Sequence, residues 1–247
     1  MTRDHSLILN SLFFIVGLLF FAMELLRPDR EINRKLEFKK DLMAFGMLIL
    51  SGVLISAPLM KFYQILNLPH WAWFSSINSL AKVFIATIVL DFFNYWIHFY
   101  MHKLPWFWKG HLFHHKIEQL YWFSGLRASL VHYAAFIFSR ASIGILLFNL
   151  NSYEMLVYLV IGYTTNFYQH TNARIGHRWI EWVLVTPRVH RLHHSVNGRR
   201  MKNIGTIFSF WDRWFGTLLD PEGIADDYKL GVRPNSPDIK WNEVIGY

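Results

Sequence analysis

At 247 residues, 53% hydrophobic and 18% aromatic with mean hydropathy +0.20, the chain is too apolar for a water-soluble domain of its size and fits one compact polytopic membrane unit. It contains no cysteine, which excludes disulfides and thiolate-held zinc or iron–sulfur sites, so any metal must be held by His, Asp, Glu or Asn. The net charge of +8 and pI near 9.7 do not point to nucleic acid, because the basic residues flank apolar spans, where Lys and Arg face anionic headgroups on the cytoplasmic side.

The first apolar run, Leu7 to Leu26, is longer than a signal-peptide core and is expected to stay as a spanning helix. Residues 27 to 41 carry six basic and four acidic side chains, with Pro28 ending the first helix, and the positive-inside tendency places them in the cytoplasm. A second run extends from Leu42 to about Leu66, with Pro58 as an expected kink. Its exit lacks charge and holds Trp71, Trp73 and Phe74, an interfacial aromatic belt. The third run, Asn78 to about Tyr100, returns to the cytoplasmic side where His98 and His102 appear. Residues 103 to 131 are too polar to span. Two shorter runs, Tyr133 to Leu150 and Tyr153 to about Phe167, read as a hairpin around a turn at Asn149 to Ser152, leaving His170 on the cytoplasmic side. Arg140 in the first limb is costly in lipid and should snorkel or face protein. Beyond Thr171 the chain reads as a cytoplasmic cap with eleven basic and eight acidic residues.

Histidine is concentrated at the ends of these runs. His98 and His102 stand four apart, so on a helix they share a face, with Asn94 and Asp91 further along it. His111, His114 and His115 form an H-x-x-H-H triplet, repeated about eighty residues later by His190, His193 and His194. Each triplet puts three imidazoles on one side of a turn, enough to address one metal or two adjacent ones. Asn166 and His170 make a further i, i+4 pair. Charge and hydropathy alone thus bring nine histidines to one side of the membrane. Imidazole suits iron, copper and zinc alike, and nine ligands exceed what one first-row ion takes, which favours two metals. His5, His70 and His177 read as ordinary interfacial residues. His132, at the mouth of a span, reads as interfacial filler with substrate contact as the alternative. The aromatic residues around the boxes read as packing and interface anchors.

The order H-x-x-x-H, H-x-x-H-H, H-x-x-H-H, with DFFNYWIHFYMH, WKGHLFHH, FYQHTN, TPRVHRLHH and NIGTIFSFWDRWFGTLL around it, resembles the fatty acid hydroxylase superfamily, which includes sterol desaturase-like integral-membrane diiron oxygenases. The resemblance covers roughly residues 85 to 220, so residues 1–84 read as N-terminal spans, 85–220 as the core and 221–247 as a tail. It implies an all-α bundle of about four to five spans with a cytoplasmic histidine-rich cap. It also implies that His98, His102, His111, His114, His115, His170, His190, His193 and His194 hold two iron ions and act in catalysis through them, with zinc as a substitute in purified protein. Asn166 stands where some relatives have another His and is expected to act through a water or behind the ligands. Asp91 and Asp212 are candidate acceptors fixing imidazole tautomers. The activity so implied is O2-dependent hydroxylation or desaturation of a C–H bond in a fatty acyl, sterol-like or isoprenoid lipid, with electrons from a separate ferredoxin- or cytochrome-type donor. The host would be a bacterial inner membrane or an endoplasmic reticulum. The competing class is a His-rich metal transporter or zinc-binding membrane protein; it would need ligands in mid-span, whereas these lie at span ends.

Overall fold

A computed structural model of the protein describes residues 3–66, 76–196, 201–224, 227–232 and 239–247. Among these the regular structure is helical, with β-bridges only at isolated pairs such as Leu184 with Phe208. Four segments are long and apolar enough to cross a membrane: Leu7–Leu26, Arg34–Tyr63, Ser79–Lys103 and Leu130–Leu147. The protein is a membrane protein of the expected all-α class. The belt residues Trp71, Trp73 and Phe74, and His70 beside them, lie outside the described residues.

Helix α1 (Arg3–Leu26) turns Leu7, Phe14, Leu18 and Leu25 outward and packs its other side through Phe13 and Phe20. Helix α2 (Arg34–Ser51) begins eight residues earlier than its apolar run, because the Asn33 side chain caps it by accepting from the Lys35 amide. The polar stretch at 27–41 is therefore half helix, and Glu37 and Asp41 face inward, buried. Through a π-helical turn at Gly52–Ser56 the chain continues as α3 (Ala57–Leu66). The wide turn directly precedes Pro58, whose missing N–H and ring bulk disturb the carbonyl four residues back. Helix α4 (Ser79–Lys103) starts on Asn78, whose side chain accepts from Leu80 and Ala81.

Leu104 is extended, and Pro105, at the first position of α5 (Pro105–His115), lacks the N–H that a helix start leaves unpaired, so the chain reverses sharply there. Helix α6 (Leu130–Ala141) passes into a second π-helical segment, Ser142–Leu147. A reciprocal cap between Asn151 and Glu154 opens α7 (Ser152–His170). Glu154, Asn166 and Gln169 lower the apolar character of α7, and it is not among the four spanning candidates. The cap adds the short helices α8 (Pro187–His193), α9 (Phe210–Trp214) and α10 (Trp241–Ile245).

Three apolar clusters fix the site. Val83, Ala86 and Leu90 of α4 lock against Phe148, Met155 and Tyr158. Phe13 of α1 stacks edge-on to Tyr163 and Phe167 of α7, with ring centroids 5.4 and 5.1 Å apart. Tyr95 of α4 packs on Ile204, Ile207, Phe208 and Trp211, tying the cap to the third span directly above His98 and His102. Each fully buried apolar side chain contributes about 1.5–3 kcal/mol relative to exposure, so the cap's position is set by packing as well as by its polar contacts.

Candidate metal centre

The final two turns of α4 carry His98 and His102 on one inner face, and the reversal at Leu104–Pro105 folds α5 back so that His111, His114 and His115 meet them. His170 closes α7, and α8, capped by the Thr186 side chain on the Val189 amide with Pro187 at its first position, presents His190, His193 and His194. All nine rings are between 0% and 5% exposed. They fall into two groups with potential ligand atoms within 4.8 Å of one another: His98, His102, His111, His115 and His193, and then His114, His170, His190 and His194. Each triplet serves both groups. Its first and last members stay together and its middle histidine joins the other group, because residues four apart lie nearly in line along a helix while the residue three on is offset around it.

The five-histidine group has a closed ring of Nε2 approaches: His98 to His111 at 3.0 Å, and His98 to His102, His102 to His115 and His115 to His111 at 3.1 Å each. In the second group Nε2 of His190 lies 3.1 Å from those of both His170 and His194. Two nitrogens bound at right angles to a first-row ion, with metal–nitrogen bonds of about 2.0–2.1 Å, stand about 3 Å apart. His102 holds the middle of its group, its ring centroid 4.6 to 4.9 Å from those of His98, His111, His115 and His193. The two groups abut, with the His115 and His194 rings stacked at 4.5 Å.

The tautomers follow from the partners. Nδ1 of His98, His114, His170 and His193 faces the carbonyl oxygens of Ile204, Arg127, Asn166 and Lys202 at 2.6 to 2.8 Å. A carbonyl only accepts, so each Nδ1 carries the hydrogen and each Nε2 keeps its lone pair. Nε2 of His193 is buried without a hydrogen-bond partner among the described residues. The Nε2 lone pairs that His98, His114, His170 and His193 are left with are satisfied by a cation, and the neighbouring Nε2 atoms stand at the spacing of shared ligands, so the donor set of each group fits a metal ion.

Burial also pulls His111, His114, His115, His190, His193 and His194 well below the ordinary histidine pKa, holding the neutral form that binds metal. A depressed folded-state pKa gives stability that is complete above the unfolded value of about 6.5 and is lost as pH falls below it, when the unfolded chain takes up protons first. Metal release and unfolding are therefore expected to set in together below about pH 6, measured by metal retained after gel filtration across a pH series. Full metal content at pH 4.5 would contradict this.

Behind the ligands, Asp91 accepts from the Thr206 hydroxyl, from the Phe208 amide at 2.8 Å and from Trp211 Nε1 at 3.0 Å. Asp212 accepts from the amides of Ile204 at 2.7 Å and Gly205 at 2.9 Å and from the Thr217 hydroxyl at 2.6 Å. Neither carboxylate bonds an imidazole among the described residues, so the direct tautomer-fixing contact expected of them gives way to one step further out. They hold the 204–208 segment, and its Ile204 carbonyl receives the His98 hydrogen. The Asn166 amide donates to the Gly125 carbonyl at 3.0 Å while its own carbonyl receives the His170 hydrogen. Gly125 lies so close that a Cβ there would stand 2.8 Å from the His170 ring. Gly125→Ala is accordingly expected to displace His170 and weaken metal binding in the four-histidine group by about 10–100-fold, read by competition with a chelator of known affinity.

Sequence reasoning missed a buried ion cluster. Arg127 is fully buried; its Nε donates to Asp41 at 2.9 Å, its NH1 donates to Glu37 at 2.5 Å, and its NH2 also contacts Asp41. The Tyr121 hydroxyl donates to Asp41 at 2.5 Å, and the Arg127 carbonyl receives the His114 hydrogen. The available signal was Glu37 and Asp41 at i, i+4 on a helix entering an apolar span. His132, read as interfacial filler or substrate contact, stands beside the ligands: its Nδ1 lies 3.0 Å from Nδ1 of His111. Both rings line a cavity of about 220 Å³ that opens on His98, His111, His114, His170 and His190 and runs between α6 and α7.

The sequence model of the family described as fatty acid hydroxylase matches residues 83–217, more than half of the chain and a stretch that contains all nine histidines. The chain belongs to the fatty acid hydroxylase family. Among curated proteins it is similar to human alkylglycerol monooxygenase, 31% identical over 161 residues that make up 63% of this chain and 33% of that protein. It is also similar to ornithine lipid hydroxylase OlsE of Rhizobium tropici, 28% identical over 162 residues, 64% of this chain and 45% of that protein. Fatty acid hydroxylase vlmA of a Lecanicillium species is 26% identical over 183 residues, 62% of this chain and 45% of that protein. The chain thus spans about a third to a half of the length of the curated relatives it matches. No solved structure matches.

Proposed function

We propose that the protein is a membrane lipid hydroxylase in which His98, His102, His111, His115 and His193 hold one iron and His114, His170, His190 and His194 hold a second. The observation that carries this reading is the division of nine buried imidazoles into groups of five and four. When bound, the irons supply the oxidant needed for a C–H bond that no acid or base side chain can break. The reaction takes one lipid C–H, O2, two electrons and two protons to one C–OH and one water. The chain's own residues hold imidazoles neutral, keep bulk water from the ligand atoms and present an apolar slot to the cavity face of both groups. Hydroxylation is favoured over desaturation by the family and by the relatives' names, each of which states a hydroxylase or monooxygenase.

The six basic residues of segment 27–41, against four acidic ones, support a cytoplasmic site, and electrons would come from a separate ferredoxin- or cytochrome-type donor docking on the cap. A transport reading loses support because Asp91, the acidic group well inside a span, is fully buried and engaged by three donors. The test is comparative lipid mass spectrometry of cells expressing the protein or its His193→Ala variant under ¹⁸O2. A lipid heavier by one labelled oxygen, present only with the native protein, is expected. A product lighter by two hydrogens would make it a desaturase, and identical lipidomes would overturn the proposal.

A further inference from the structure

The cavity that reaches the histidines has a cationic far end. Along α6 its lining residues are His132, Tyr133, Phe136, Ile137 and Arg140, a spacing that keeps one helical face on the cavity. Across from them α7 contributes Gly162, Asn166 and His170. Arg140 lies eight residues beyond His132, and Gly162 lies eight residues before His170, so both walls place the guanidinium level about 12 Å from the histidines at 1.5 Å per residue. The two walls meet there: a Cβ built on Gly162 would lie 3.6 Å from the Arg140 guanidinium nitrogen. Glycine leaves that space open.

Arg140 Nε is buried without a hydrogen-bond partner, and among the described residues no carboxylate pairs with the side chain. The hydroxyl of Tyr163, which also lines the cavity, is likewise buried and unpartnered. Other buried cations are matched, Lys82 with Glu154 at 2.7 Å and Arg127 with Glu37 and Asp41. An intramembrane arginine is expensive without a counter-charge and faces protein or a functional cavity.

We infer that Arg140 is the specificity-determining anchor of this cavity, binding the anionic oxygen group, carboxylate or phosphate, of a single-chain lipid whose apolar chain runs to the histidines. The guanidinium fork matches the paired oxygens of either group. A cavity of about 220 Å³, below the usual range for drug-sized ligands, has room for one chain segment with a compact acidic head. The inference rests on the hydroxylase reading of the site. It fixes which carbon is reached, because the distance from the anchor to the histidines measures the chain from its acidic end.

The test measures binding and not turnover, so it stands apart from the metal assignment. Full-length purified protein in nanodiscs is titrated with palmitate, methyl palmitate and palmitoyl lysophosphatidate, with Arg140→Gln and Arg140→Lys variants alongside. Palmitate or lysophosphatidate is expected to bind the native protein about tenfold or more tightly than the uncharged ester. Arg140→Gln should erase that preference with ester binding unchanged, and Arg140→Lys should restore part of it. Which of the two anions is preferred identifies carboxylate or phosphate as the source. Retained metal content in Arg140→Gln shows that the site is intact. Equal binding of acid and ester by the native protein, or an undiminished preference in Arg140→Gln, overturns the inference.

Discussion

His102→Ala is expected to abolish the proposed lipid oxidation and to reduce bound metal from the two ions proposed per chain to about one. His102 is the member of the five-histidine group whose ring neighbours all four others. Its loss removes a donor from the Nε2 ring and leaves the lone pairs of His98 and His115, each 3.1 Å from it, without a cation to share. Residues behind a ligand typically contribute 10–100-fold in metal affinity or activity, so loss of a ligand should exceed about 100-fold. The four-histidine group does not use His102 and should keep its ion. Metal analysis and product quantitation on the same preparation read both effects. Two retained ions with more than a tenth of native activity would remove His102 from the site.

Arg127→Met is expected to lower stability by about 3–5 kcal/mol, the cost of stranding buried charges whose partner is gone. Asp41 is 0% and Glu37 2% exposed, and the guanidinium that bridges them has no access to water. Glu37 retains Lys40 at 3.0 Å, whereas Asp41 retains only the Tyr121 hydroxyl among these partners. For a domain of 150–250 residues this corresponds to a melting temperature lower by roughly 6–20 °C. The Arg127 backbone accepts from His114, so the four-histidine group should also lose metal more readily. Neutralising all three charges in Glu37→Gln, Asp41→Asn, Arg127→Met should recover much of the stability, because no unpaired charge remains. If the single variant melts within 2 °C of the native protein, roughly the least that one kcal/mol would shift it, the cluster carries little.

The parts of the molecule legible from sequence are those governed by local periodicity. Apolar run lengths located the four spans, and three- and four-residue spacings put each histidine pair on one face. Information carried between distant segments was hidden. Spacing put three imidazoles of each triplet on one side of a turn but did not show the exchange in which His114 leaves His111 and His115 for His170, His190 and His194. That exchange depends on how α5 and α8 approach each other. Glu37 and Asp41 read as loop charges because their partner Arg127 is 86 to 90 residues away. His132 read as interfacial because nothing local revealed that α6 starts against His111. Asp91 was singled out on the right helix face, but its partners Thr206, Phe208 and Trp211 lie more than 110 residues on. Arg140 was visible as an anomaly in its span, and only the folded cavity shows what it faces.

The central claim is that two metal ions sit in two separate histidine groups. It is tested most directly by an experimental structure of iron-reconstituted protein, with anomalous scattering at the iron edge and metal analysis of the same sample. Two iron peaks per chain are predicted, one bounded by His98, His102, His111, His115 and His193 and the other by His114, His170, His190 and His194. A single peak, or iron bound away from these nine imidazoles, would contradict the account.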